Sequence, residues 1–145
     1  MITLEFSFRG GFAGRLVQIG TWSWCSHVDF VLPDGKLLGA VPDGGVSIRD
    51  WTPAQRIERY QVDAPADVFR TAASQIGKPY DWKGVIGLAF HRDWQDEGQW
   101  WCSEFVEWAL ERHDAGLVHS GHLHRVTPAQ LLLSVRLSEP LPAVA

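Results

Sequence analysis

Apolar and polar side chains alternate from the second residue onward, with Ile2, Leu4, Phe6 and Phe8 set against Thr3, Glu5 and Ser7. A period of two puts the two sets on opposite faces of an extended chain, so "ITLEFSF" predicts a half-buried strand. A Gly-punctuated segment follows and is read as holding a short helix around residues 12–19. The alternation resumes in "SHVDFVL", where Val28, Phe30 and Leu32 share one face and His27, Asp29 and Val31 the other. The turn signals "PDG" at 33–35 and "PDGG" at 42–45 bracket "KLLGAV", a third strand. "VSI" and "RIERYQV" predict two more, the second interrupted by its charges.

Beyond residue 62 the period lengthens to that of a helix. "DAPADVFRTAASQIG" offers Asp63 as N-cap, Pro65 in the first turn, apolar Val68, Phe69, Ala72, Ala73 and Ile76, and Gly77 as terminator. A helix beginning near Trp101 aligns Cys102, Phe105 or Val106, and Ala109 on one side, with Glu104, Glu107 and Glu111 largely elsewhere. In "TPAQLLL", Thr127 and Gln130 have capping-box spacing and Pro128 takes the first helical position. Residues 137–145 read as a loose tail. Strands grouped first and helices second predict an α+β fold, a small antiparallel sheet packed against helices. There is no repeat or long linker, so 1–145 is read as one domain.

A chain of 145 residues buries a real core, and 46% hydrophobic with 21% charged is an ordinary globular balance. A formal net charge of −4 without a basic block speaks against nucleic acid and against an anionic membrane surface as partners. No stretch approaches the roughly 20 apolar residues of a membrane span. "MITLEFSFRGG" lacks a basic leader followed by an apolar run, so no signal peptide is expected and synthesis in the cytoplasm is. An extracellular or phage-delivered site of action then needs another route. Two cysteines in a reduced compartment argue against a disulfide framework.

Candidate chemistry centres on "QWWCSEFVEWAL", which sets Cys102 at the start of a helix. A thiolate is favoured there by the unpaired N–H groups of the first turn, which also suit an oxyanion. By itself the placement favours an inert core thiol. A base must come from elsewhere. His27 lies on a strand that would hold its backbone rigid, and its plainer reading is a surface histidine paired with Asp29. His91 has no evident role. His113, His119, His122 and His124 cluster in "RHDAGLVHSGHLHRV", but their spacing fits no standard structural zinc pattern, so no metal and no cofactor are expected.

Four stretches in order, "SHVDFVLPDG", "GKPYDWKG", "WWCSEFVEWAL" and "VTPAQLL", resemble the circularly permuted branch of the NlpC-type, papain-like superfamily and the relatives of lecithin retinol acyltransferase. The resemblance covers roughly residues 25–135. It implies a permuted papain-like fold, Cys102 as nucleophile, His27 as general base, and Tyr80 lining the site near the oxyanion region with Trp101 and Ser103 beside the thiol. It also implies a polar residue on the strand after the histidine strand, to orient the ring. That place falls on Gly39, which has no side chain to offer, leaving Asp29, Asp43, a backbone carbonyl or water for the task. Cys25, two residues before His27, is read as an inert buried thiol, with a second site thiol or a pairing with Cys102 as alternatives.

The leading expectation is a thiol hydrolase whose Cys-His pair cleaves an amide bond, with bacterial cell-wall peptide as the superfamily's most natural substrate. Acyl chemistry on lipid, ester or thioester substrates is the second, prompted by Trp94, Trp100, Trp101 and Trp108 around Cys102. For those tryptophans, core and rim packing is an equal reading. The third is a non-catalytic domain that keeps the fold, prompted by Gly39. The expected partner is a small peptide or acyl substrate; oligomeric state is left open.

Overall fold

The computed structural model describes residues 1–8, 10–89, 98–119 and 121–138. Among them five strands, β1 (Ile2–Phe8), β2 (His27–Val31), β3 (Leu37–Val41), β4 (Gly45–Arg49) and β5 (Arg56–Val62), form one antiparallel sheet in the order β4-β3-β2-β1-β5. Short turns join β2, β3 and β4 as a meander. Around it lie α1 (Phe12–Thr21), α2 (Asp67–Ala73), α3 (Trp82–Ala89), α4 (Cys102–Glu111) and α5 (Pro128–Ser138). The α+β class expected from strands first and helices second is the observed one.

The apolar registers of the strands make the core face. Ile2, Leu4, Phe6, Val28, Phe30, Leu38, Ala40 and Val46 are buried there with Phe105, Val106, Ala109 and Leu110 of α4. Phe30 meets Phe69 and Phe105 edge to face, at centroid separations of 6.1 and 6.0 Å, which locks α2 and α4 onto the centre of the sheet. The opposite face departs from the half-exposed expectation, since Glu5, Ser7 and Asp29 are buried as deeply as the core. The Glu5 carboxylate accepts hydrogen bonds from Arg59 of β5 and from Trp51 in the loop before it, so this buried acid faces partners rather than water.

The helices differ in detail from the sequence reading. Helix α2 starts at Asp67 with Ala66 as its N-cap, so Asp63 is not the cap and Pro65 lies outside the helix, its carbonyl accepting from Val68. Helix α4 starts at Cys102, with extended Trp101 as N-cap. It is buried nearly all round, Glu104 and Glu107 included. Glu107 belongs inside because its carboxylate accepts the backbone N–H groups of Leu117, Val118 and His119, tying down the chain beyond the helix. The capping box forms as expected, Thr127 N–H donating to Gln130 and Gln130 N–H to Thr127. That helix runs through Ser138, so residues 137–138 are helical; the rest of the expected tail lies outside the described residues. Helix α3 and a 3-10 turn at Leu123–Arg125 were not anticipated. Among the described residues, no helix is long and apolar enough to cross a membrane.

Candidate active site

Two local features carry the site. First, β2 begins at His27, whose side chain lies on the polar face of the sheet with Asp29, and β1 pairs Ser7 with His27 and Glu5 with Asp29 to hold that strand on one side. Second, α4 begins at Cys102, which points its thiol at the chain entering β2: the Sγ lies 3.9 Å from the Ser26 carbonyl oxygen. Cys102 is near enough to help raise the titration of the His27 ring.

The "GKPYDW" segment closes the site from another side. It docks along β4, Val46 N–H donating to the Lys78 carbonyl and Gly77 N–H to the Val46 carbonyl, each at 2.9 Å. This close approach requires Gly45, whose φ is +63° and on which a Cβ would stand 2.0 Å from the Lys78 oxygen. Tyr80 is thereby carried to the cleft that His27 and Ser26 line. Burial pushes the Tyr80 phenol well above its ordinary range, with Cys102 and Asp81 adding to it. Asp81, fully buried, accepts from the Gly84 N–H at 2.8 Å and so caps α3.

His27 is 6% exposed and Asp29 fully buried, with 3.0 Å between His27 Nε2 and Asp29 Oδ2. The two atoms are close enough for an ion pair but are not aligned as a hydrogen bond, so charge attraction dominates the contact. Burial alone would lower the histidine; the Asp29 carboxylate, with Cys102, outweighs it and lifts His27 to about 9. Burial alone would likewise raise Asp29, but His27 and then Arg49 hold it down at about 2. Arg49 Nη2 donates to Asp29 Oδ1 at 2.5 Å. With Nε2 facing the carboxylate, Nδ1 is the ring nitrogen that Asp29 leaves unengaged.

A cleft of about 510 Å³ opens on this group. His27, Ser26 and Tyr80 form its floor, and Phe12, Val17, Val41 and Trp82 are among its walls. The Cys102 sulfur is itself fully buried, 3.9 Å from the carbonyl oxygen of Ser26, a residue of that floor.

Of the residues singled out from sequence, Cys102, His27, Asp29 and Tyr80 come together. Asp43 lies on the cleft in the exposed β3–β4 turn, while the carboxylate at the ring is that of Asp29. Trp101 and Ser103 do not line the cleft: the indole is wholly in the core, and the Ser103 hydroxyl donates to the Val126 carbonyl at 2.6 Å. Trp100 and Trp108 pack on each other and against the core, not into the cleft, and Trp94 and His91 fall outside the described residues. Cys25 is a buried free thiol whose proton faces the His27 carbonyl at 3.5 Å; burial pushes it up to about 12. His113 bonds Thr71 at 2.7 Å and the His119 N–H bonds Glu107, so the histidine-rich stretch is dispersed into local contacts. Arg49 was not anticipated, although counting alternate residues along β4 places it on the His27 face.

Among known protein families no match to the chain is found, and none is found among curated proteins. Five solved chains are similar in structure. One is the metalloprotein yiiX from Escherichia coli O157:H7, with a TM-score of 0.56 and 17% identity over 77% of this chain and 64% of that one. The present chain thus spans less than two-thirds of that neighbour, and at such identity the likeness is one of fold. Among the described residues here, no group of three or more His, Cys, Asp or Glu side chains is placed to hold a metal ion.

Proposed function

We propose that this chain is a thiol hydrolase on a circularly permuted NlpC-type, papain-like fold, whose Cys102–His27 pair cleaves an amide bond, most naturally in a cell-wall peptide. The observation that carries the reading is the meeting of a thiol at the first turn of α4 with a strand-borne histidine backed by a buried carboxylate. The chain order, histidine strand before cysteine helix, is the order of permuted members.

Asp29 keeps His27 protonated at neutral pH, and an imidazolium beside a thiol favours the thiolate. The Cys102 sulfur attacks the carbonyl carbon, forming the C–S bond as an electron pair moves to oxygen. The N–H groups opening α4 have no partner within the helix and receive that oxyanion. The imidazolium gives its Nδ1 proton to the leaving nitrogen as the C–N bond breaks, leaving a thioester and a neutral ring. The ring then takes a proton from water, whose oxygen attacks the thioester and expels the thiolate, restoring the ion pair.

A second reading, hydrolysis or transfer of acyl groups from esters or thioesters, is favoured by the apolar walls Phe12, Val17, Val41 and Trp82. Incubating wild-type protein and Cys102→Ala with muropeptides and with acyl-ester probes separates the two. Turnover of muropeptides, lost in Cys102→Ala, is expected; turnover of acyl esters alone replaces the peptidase reading with the second. No turnover of either class, with Cys102 alkylating as an ordinary thiol, leaves a non-catalytic domain.

A further inference from the structure

We infer that Arg49 is a positioning residue of this site, acting on His27 through Asp29, and that Gly39 is the space in which arginine and carboxylate meet. In catalysis the inference rests on the Cys102–His27 reading above, whereas its test reads His27 directly.

Arg49 stands on β4 and Asp29 on β2, with β3 between them. Neighbouring strands are spaced by about 4.8 Å, so the two backbones are roughly 10 Å apart and the arginine must cross the middle strand. The register of β2 with β3, Phe30 to Leu38 and Val31 to Leu37, continues to Asp29 across from Gly39. A Cβ on Gly39 would lie 2.0 Å from Asp29 Oδ1, 3.1 Å from its Cγ and 3.6 Å from its Cα. Gly39 has no positive φ, so its bare backbone answers a need for room and not for conformation.

The two carboxylate oxygens are divided between partners. Oδ1 receives Arg49 Nη2, while Oδ2 faces His27 Nε2. A side chain at residue 39 would take the place of Oδ1 and turn the carboxylate away from both. The place where the family resemblance called for a polar side chain is thus filled by a carboxylate borne on the histidine's own strand.

Arg49 also answers a problem created by the reaction. Once His27 passes its proton to a leaving group it is neutral, and Asp29 becomes a fully buried anion facing a neutral ring. A buried carboxylate stripped of its counter-charge lowers its cost by protonating or by moving. The guanidinium never deprotonates, so it holds Asp29 charged and in place through both protonation states of the histidine. Among the described residues, the other ionisable groups near His27 are Cys102 on α4, Cys25 with its thiol on the His27 carbonyl, Tyr80 and Asp81 before α3, and Asp43 on the cleft; Glu5 on β1 is committed to Arg59 and Trp51.

The test is an NMR titration of the His27 ring in the full chain, for wild type, Arg49→Gln, Arg49→Lys, Gly39→Ala, Asp29→Ala and Gly39→Ala combined with Asp29→Ala. Removing a nearby cation without moving anything raises a histidine midpoint. If Arg49 positions Asp29, Arg49→Gln instead lowers it, by about one pH unit or more, and Arg49→Lys recovers part of the loss. A midpoint unchanged or raised in Arg49→Gln overturns the inference. Gly39→Ala is expected to lower the midpoint in the wild-type background and to have no further effect in Asp29→Ala; an equal drop in both backgrounds also overturns it. If Arg49→Gln does not fold by circular dichroism, the Gly39 comparison decides alone. No readout depends on turnover, so failure of the hydrolase reading and failure of this inference are told apart.

Discussion

Raising the pH from 6 to 10 removes the proton that ties His27 to Asp29, and the structure sets how much stability leaves with it. The histidine moves from an ordinary 6.5 to about 9 on folding, first through the buried carboxylate 3.0 Å away and then through Cys102. Below 6.5 both folded and unfolded chains carry the proton, and the contribution is complete. Between 6.5 and about 9 only the folded chain keeps it, so stability falls with rising pH; above about 9 nothing remains. The displacement corresponds to about 3 kcal/mol, a large share of the 5–15 kcal/mol that small domains possess. Urea unfolding at pH 6 and pH 10, on wild type and Asp29→Asn, isolates it, because other alkaline titrations are common to both proteins. Wild type is expected to lose about 3 kcal/mol more than the variant over that interval. Equal losses would refute the reasoning, since His27 would then owe nothing to Asp29.

Four further outcomes follow from particular contacts. At the acid end, Asp29 lies below its usual 3.8, so the stability it contributes is complete above 3.8 and lost as pH falls through about 2; Asp29→Asn should flatten that limb of an acid-unfolding curve. Glu107→Ala strands three backbone N–H groups and should cost about 3 kcal/mol in urea unfolding, against less than about 0.5 for Glu111→Ala at the half-exposed end of the same helix. Ser103→Ala should cost about 1 kcal/mol for its buried bond to Val126 while leaving the His27 NMR midpoint unmoved, which separates a structural serine from a site residue. Cys25→Ser should retain any reaction of Cys102 with an electrophilic probe, and Cys102→Ser should abolish it, read by peptide mass mapping; the reverse would assign the reactive thiol to Cys25.

Where the sequence was legible, the signal was periodic and local. The period of two marked β1 and β2 because alternate residues of a strand necessarily face opposite ways, and turn residues bracketed β3. Thr127 and Gln130 revealed their capping box because both bonds span three residues. Cys102 at a helix start and His27 on a strand could be named because each depends on its own element alone. The misreadings share one cause. Glu5 and Glu107 were judged by polarity and Ser103 by resemblance, and neither shows whether a buried partner waits across the fold. For Glu107 that partner is a loop ten to twelve residues downstream; for Ser103 it is a carbonyl beyond the next turn.

By itself, then, the sequence determined the α+β order of elements, the strand that carries His27 and the helix that opens at Cys102. It left Gly39 as a gap, since a missing side chain has no chemistry to read. Only the tertiary structure decided what fills that gap. Strand pairing sets β3 between Asp29 and Arg49, and a carboxylate and a guanidinium 20 residues apart in sequence meet over the one position too small to keep them apart. That meeting depends on sheet order and register, which arise from how strands pair across the whole chain.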